Sequence, residues 1–390
     1  MKRRQILKSM ASTTFAAWTA SSLAADNPIK VGIALDLTGP IASAGLPMLH
    51  AARAAFEEIN SGGGVLGRKI ELVVEDTASN ESVGVTKARK LVSGDKVSVV
   101  FGGITSSMRN AIKDPIAVRG RTPYFYPMLY EGGECTPGVY LTGPLPVQQC
   151  EPIIDYLNKT GAKRYYLLGS NYVYPRTLHE YAKRKIGQTG GQVVGEDYYP
   201  VDQSDFSSIV QKVLAKKPDV VFTHTIPPGV ATLFKQLAES GFKSQGRIAS
   251  VFMDEALVGL VSPADLEGTV SCLDYFPTLA DPVGARVNAA MLASSGNKFG
   301  LTAGSGSTGM YRAVKLWAAA VAKAGSINAG QLENGISSVG TLQGPGGEFS
   351  VAPGTRHLRL PMYVGVAKSG RFEVMEKLGA TADTQACKKT

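Results

Sequence analysis

The residues of this 390-residue chain that can do chemistry gather where short apolar runs end. The run Gly102-Gly103-Ile104-Thr105-Ser106-Ser107 places three hydroxyls at the start of a helical pattern. There, side-chain oxygens stand beside backbone N–H groups that have no partner inside the helix. The two glycines let the backbone approach a bound molecule closely; plain helix capping by Thr105 or Ser106 is the alternative use of the run. Tyr126-Pro127-Met128-Leu129-Tyr130-Glu131 offers aromatic walls with a hydroxyl on each ring, as does Ser170-Asn171-Tyr172-Val173-Tyr174. His224-Thr225 and Met253-Asp254-Glu255 close two further runs. Hydroxyls, aromatic rings and an acid at five such ends are the groups that enclose and hydrogen-bond a small molecule.

They do not make a catalytic set. Covalent catalysis needs a nucleophile, a base and a group that orients the base. The four histidines, His50, His179, His224 and His357, lie in no such pattern, and no Gly-x-Ser-x-Gly stands between a strand and a helix. His-x-x-x-His and Cys-x-x-Cys spacings are absent too, so the sequence supports no metal site and no cofactor.

The elements that must position these ends alternate. Strands are expected over 29–35, 69–75, 97–101 and 124–126, with helices over 44–60, 81–92 and 106–118 between them. After a proline-bearing connector over 142–149 the rhythm restarts. Helices are expected over 150–159, 177–188, 206–215 and 230–240, and strands over 164–169, 193–199, 219–224 and 248–252. A later helix covers 309–324, and short strands fill 349–374. Two βαβ series imply an α/β protein of two similar lobes, each a parallel sheet flanked by helices. Ligands in such sheets bind beyond the C-terminal strand ends, which is where the hydroxyls and tyrosines stand.

The first 25 residues address the chain elsewhere. Lys2, Arg3, Arg4 and Lys8 precede an apolar stretch and the small residues up to Ala24-Ala25, the layout of a cleaved export signal. Arg3-Arg4 resembles a twin-arginine address, with an ordinary secretion signal as the alternative. Removing it takes four of the 41 Lys+Arg and leaves 37 against 32 Asp+Glu, a net charge of +5. Those charges are mixed in sign and scattered, which excludes nucleic acid as a partner. Four cysteines in an oxidising compartment suggest disulfides, and Cys135 with Cys150 is the nearest pair; free buried thiols are the alternative.

The opening Leu35-Asp36-Leu37-Thr38-Gly39-Pro40 and the stretch from Asn60 through Gly67 into Arg68-Lys69-Ile70-Glu71-Leu72 carry a family likeness. So do Tyr130-Glu131-Gly132-Gly133-Glu134-Cys135, Thr142-Gly143-Pro144 with Gln148-Gln149, and Gly169 to Arg176. Over residues 28–378 the chain resembles the periplasmic type I solute-binding proteins of branched-chain amino acid and amide importers, nearest to the urea and short-chain-amide branch. The resemblance implies three hinge crossovers, with lobe 1 formed by 28–146 and 277–355 and lobe 2 by 147–276 and 356–380. It implies delivery of a solute to a membrane permease and its ATPase from the periplasm. Pocket roles follow for Ser106 as donor or acceptor, for Tyr126 and Tyr172 as walls, and for Glu255 where some relatives hold a ligand amine. Ser107, Met128, Tyr174 and His224 complete the candidate ligand-binding set. The expected solute is urea or a short amide, with a branched-chain or other amino acid, or an amide-sensing regulator, as alternatives.

Overall fold

A computed structural model describes residues 27–296 and 302–381. The export-signal reading and Cys387 lie outside those residues. The first sheet has the order β2-β1-β3-β4-β5, all parallel, from β1 (Ile29–Leu35), β2 (Ile70–Asp76), β3 (Val100–Gly102), β4 (Tyr124–Tyr126) and β5 (Val139–Leu141). Helices α1 (Ala42–Ser61), α2 (Glu81–Arg89) and α3 (Ser106–Lys113) connect its strands. Helix α3 runs on into a π turn at Asp114–Val118, which contains Pro115. Near-continuous apolar strands such as β1 are buried from both sides, as parallel sheets require.

The second unit begins with α4 (Pro146–Lys159) and continues through β6 (Arg164–Ser170), α5 (Val173–Gln188) and β7 (Gln192–Tyr199). Then follow α6 (Ser207–Lys216), β8 (Val220–His224), α7 (Gly229–Glu239), β9 (Arg247–Ala249), two short helices α8 (Glu255–Val258) and α9 (Pro263–Leu266), and β10 (Val270–Leu273). The chain returns to the first unit as α10 (Pro282–Ser294), α11 (Ser305–Ala324) and α12 (Ala329–Ser338). It closes with β11 (Leu342–Gly344), β12 (Gly347–Val351), β13 (Leu358–Lys368) and β14 (Arg371–Thr381). The second sheet has the order β11-β12-β13-β10-β9-β8-β6-β7, with β14 on the far side of the β13 hairpin. Its strands β6 to β10 are parallel, and β11 to β14 join antiparallel.

The core of the first lobe is an aromatic column. Phe101 stacks on Phe125 at 5.2 Å and Phe125 on Tyr140 at 4.8 Å, while Phe56 and Trp317 meet Phe101 edge-on at 5.7 and 6.1 Å. Where the chain passes between the lobes, polar side chains tie backbone to backbone. Gln148 accepts from Leu145 N and donates to the carbonyls of Leu358 and Thr381, and Gln149 donates to those of Val251 and Cys272. Asp274 accepts from Ser305, from Thr308 at 2.8 Å and from the Arg312 guanidinium.

The expected Cys135–Cys150 disulfide is not formed. Cys135 is disulfide-bonded, whereas Cys150 and Cys272 are free buried thiols. Helix α4 begins at Pro146, not at residue 150, so Cys150 lies one turn inside it and faces the second sheet. Cys135 sits on an exposed loop of the first lobe. Proximity along the chain therefore put two sulfurs together that the helix start separates.

Candidate functional site

The C-terminal ends of the parallel strands of both sheets meet in a cleft between the lobes, as open α/β sheets require of a binding crevice. Its upper compartment is lined from lobe 1 by Ile41, Ala44, Ile104, Thr105, Ser106, Met128 and Leu129, and from lobe 2 by Tyr172, Tyr174, Ile226, Pro227 and Phe252. A lower compartment shares Ala44, Met128 and Phe252 and adds Met48, Asp254, Ala256, Leu257, Gly306 and Ser307. The lobes are closed on each other. Each compartment has room for one water molecule at most.

Ser106 is the first residue of α3, and the helix is capped by its neighbour: Thr105 Oγ1 accepts from Met108 N at 3.1 Å. Ser106, 2% exposed, is therefore not the cap and lines the cleft. The preceding glycines serve the fold. Gly102 has φ +138°, and a Cβ there would sit 1.9 Å from the Ala34 carbonyl oxygen; one at Gly103 would meet the Tyr124 hydroxyl at 2.7 Å. Gly102→Ala should therefore force β1 and β3 apart and lower the melting temperature by several degrees in a thermal scan.

Four of the candidate residues, Ser106, Met128, Tyr172 and Tyr174, come together on the upper compartment. Tyr172 precedes α5 and Tyr174 lies in its first turn, because α5 starts four residues earlier than its apolar pattern indicates. The Tyr174 hydroxyl is buried with no protein partner. Burial pushes both phenols well above their usual range, so each keeps its proton at neutral pH.

The other four candidates stand elsewhere. Tyr126 is fully buried behind the cleft, and its hydroxyl donates to the Ile104 carbonyl at 2.5 Å, bracing the loop that carries Ser106. Ser107 is half-buried and lines neither compartment. His224 lies behind Tyr174, its ring edge-on at 6.1 Å. Its Nδ1 is 3.1 Å from Nε2 of His179, whose Nδ1 is 3.0 Å from Glu196. Burial holds both imidazoles below their usual pKa, and the hydrogen bond from His179 draws the Glu196 carboxyl down to about 2. Glu255 turns to the outer strand β14, accepting from Phe372 N at 3.1 Å.

The acid of the cleft is instead Asp254. It caps α8 by accepting from Ala256 N at 3.1 Å, and its Oδ2 accepts from Ser305 N at 2.8 Å, the first amide of α11 in the opposite lobe. Burial raises its pKa to about 7, opposed by the Ser305 hydrogen bond and helped by the Glu255 and Asp274 charges. Helix α11 begins at Ser305 with Gly304 as its N-cap, four residues ahead of the expected start, and so takes in Ser305-Gly306-Ser307-Thr308. Its small residues are needed there. A Cβ at Gly304 would lie 2.1 Å from the Asp254 carboxylate, and one at Gly309 would lie 2.0 Å from the Pro127 carbonyl oxygen. Met48, Ala44, Ile226, Phe252 and Asp254 escape sequence reasoning as cleft residues, since only Asp254 carries a polar signal and Glu255 beside it carries the same one.

Residues 28–371 match the periplasmic binding protein family, and the chain belongs to it. The family is one of binding proteins and not of enzymes. The chain is 30% identical over 236 residues to the Leu/Ile/Val-binding protein BraC3 of Rhizobium johnstonii, covering 59% of this chain and 63% of that one. It is 28% identical to an amino acid binding protein of Pseudomonas aeruginosa, over 56% of this chain and 59% of the relative. These matches thus span less than two thirds of each relative. A solute binding protein of an ABC transporter from Rhodopseudomonas palustris, solved with 3,4-dihydroxybenzoic acid, superposes with a TM-score of 0.82 at 25% identity, over 92% of this chain and 99% of that one. A leucine binding protein from Thermotoga maritima superposes with a TM-score of 0.78 at 22% identity, over 90% and 99% of the two chains, and so shares the fold.

Proposed function

We propose that the protein is the exported solute-binding component of an ABC importer, that it captures a small neutral amide such as urea or acetamide, and that it hands the closed complex to a membrane permease and its ATPase. The observation that carries the choice of solute is the charge of the cleft. Among the described residues, neither compartment is lined by a Lys, Arg or His side chain, and the one acid, Asp254, has a pKa near neutrality. A carboxylate ligand would be buried there without a cation, at a cost of several kcal/mol. A neutral amide needs only donors and acceptors, which the Tyr172 and Tyr174 hydroxyls, Ser106 and the first amides of α3 can supply. The export-signal pattern of residues 1–25 favours a periplasmic site of action over an amide-sensing regulator inside the cell.

One observation favours an amino acid instead: Asp254 stands in the lower compartment beside the apolar Met48, Leu257 and Phe252, an acid for an ammonium group next to walls for an aliphatic chain. Thermal scans with urea, acetamide and leucine decide between them. At a hundredfold excess over its dissociation constant a true ligand adds about 2.7 kcal/mol to stability. Urea at low concentration or acetamide should raise the melting temperature by several degrees and leucine should do little; the reverse order sinks the amide assignment.

A further inference from the structure

Ser106 meets the cleft with its proton already committed. Its Oγ donates to Oε2 of Glu131, and Oε1 of Glu131 accepts from Nη2 of Arg109 at 2.6 Å. The Arg109 guanidinium lies over the rings of Tyr126 and Tyr130, 5.1 and 4.7 Å from their centroids, and its Nε is 3.5 Å from Glu134. Lys113 holds Glu134 from the rim at 2.8 Å. Arg109 is 3% exposed and Glu131 7%, so the network is fixed and shielded from water.

A serine hydroxyl has one proton and two lone pairs, and an ionised carboxylate has no proton to give. The Ser106–Glu131 bond therefore runs in one direction only. It spends the serine proton on the far side from the cavity and leaves lone pairs facing in. We propose that Glu131, locked by Arg109, sets the specificity of the cleft by making Ser106 an acceptor and never a donor. This rests on the amide reading and refines it. A ligand must present an N–H or O–H at Ser106, while its acceptor is met by the Tyr174 hydroxyl, which is buried without a partner. A carboxylate oxygen at the same point would meet lone pairs with the Glu131 charge behind them. Glu131 touches Ser106 and lines neither compartment, which makes it a positioning residue.

Calorimetric titration of the mature chain with acetamide, propionamide, acetate and propionate tests this, in the wild type and in Glu131→Gln. The glutamine can donate its amide proton to Ser106 and release the hydroxyl proton toward the cavity. Wild-type protein should prefer each amide to its acid by about 100-fold or more, because a site built around one hydrogen-bond polarity rejects the opposite one. In Glu131→Gln that ratio should narrow by about tenfold, mainly through gained affinity for the acids. A ratio unchanged in a folded Glu131→Gln overturns the inference and leaves the amide reading standing. A wild type that prefers the acids, or binds none of the four, overturns both. If Glu131→Gln does not fold, Ser106→Ala decides, since it leaves the Glu131–Arg109 pair intact. Acetamide should then lose about tenfold in affinity while acetate loses none, because Ser106 gives the acid no donor; equal losses, or an undiminished acetamide affinity, overturn the inference.

Discussion

Arg312→Met should lower the unfolding free energy by about 3–5 kcal/mol, read from denaturant titration, because it strands a carboxylate in the hinge. Asp274 and Arg312 are each 1% exposed. The guanidinium joins Asp274 to the turn between β11 and β12 by donating to the Pro345 carbonyl at 3.2 Å. Without it, Asp274 keeps only the hydroxyls of Ser305 and Thr308, both neutral donors, for a full negative charge. Adding Asp274→Asn to Arg312→Met should recover much of the loss, since the cost lies in the unpaired charge and not in the missing pair. A single variant that costs less than about 1 kcal/mol would mean that water reaches this site in the native protein.

Asp254→Asn should stabilise the unliganded protein, and by an amount that grows with pH. In the unfolded chain the carboxyl titrates near 3.8, and in the folded state burial raises it to about 7. The folded protein therefore binds more protons than the unfolded chain between those values. The sign follows from linkage: stability linked to Asp254 is fully present below about pH 4 and falls as pH rises toward 7. At about 1.4 kcal/mol per unit, the loss approaches 4 kcal/mol by pH 8. Asparagine carries no charge to desolvate and retains an acceptor for Ser305 N. Melting curves of wild type and variant should thus coincide near pH 4 and separate progressively to pH 8; curves that stay parallel would refute a desolvated carboxylate. The same variant sorts the ligands. An ammonium ligand loses the one counter-charge among the described cleft residues, while an amide keeps a neutral partner.

Much of the binding face was legible because parallel strands bring their C-terminal ends to one edge. Once 97–101, 124–126 and 164–169 read as strands, Ser106, Met128 and Tyr172 had to converge. Tyr174 came with them, because the residues just past a strand end share that edge. His224 and Tyr126 were drawn into the same set by the same rule and stand one layer behind it. A fully buried strand end faces two sides, and periodicity does not say which side is the cleft.

What remained hidden turned on helix starts, and these were set by partners far away in the chain. Helix α11 takes in glycines and serines of poor helix propensity because Asp254 and Asp274, 51 and 31 residues earlier, satisfy its first N–H and its hydroxyls. That same contact turns Asp254 toward the cleft and leaves Glu255 to β14, so two adjacent acids of equal sequence signal have opposite fates. Helix α4 begins at Pro146, with Gln148 closing on Leu145 and reaching β13 and β14, and it thereby buries Cys150 away from Cys135. Alternating apolar runs, turn residues and the hydroxyls at strand ends are local properties, so the α/β architecture and the position of the cleft could be read along the chain. Which acid faces the ligand, which sulfurs meet and which way the Ser106 proton points depend on groups brought together from remote segments, and these only the packed lobes decide.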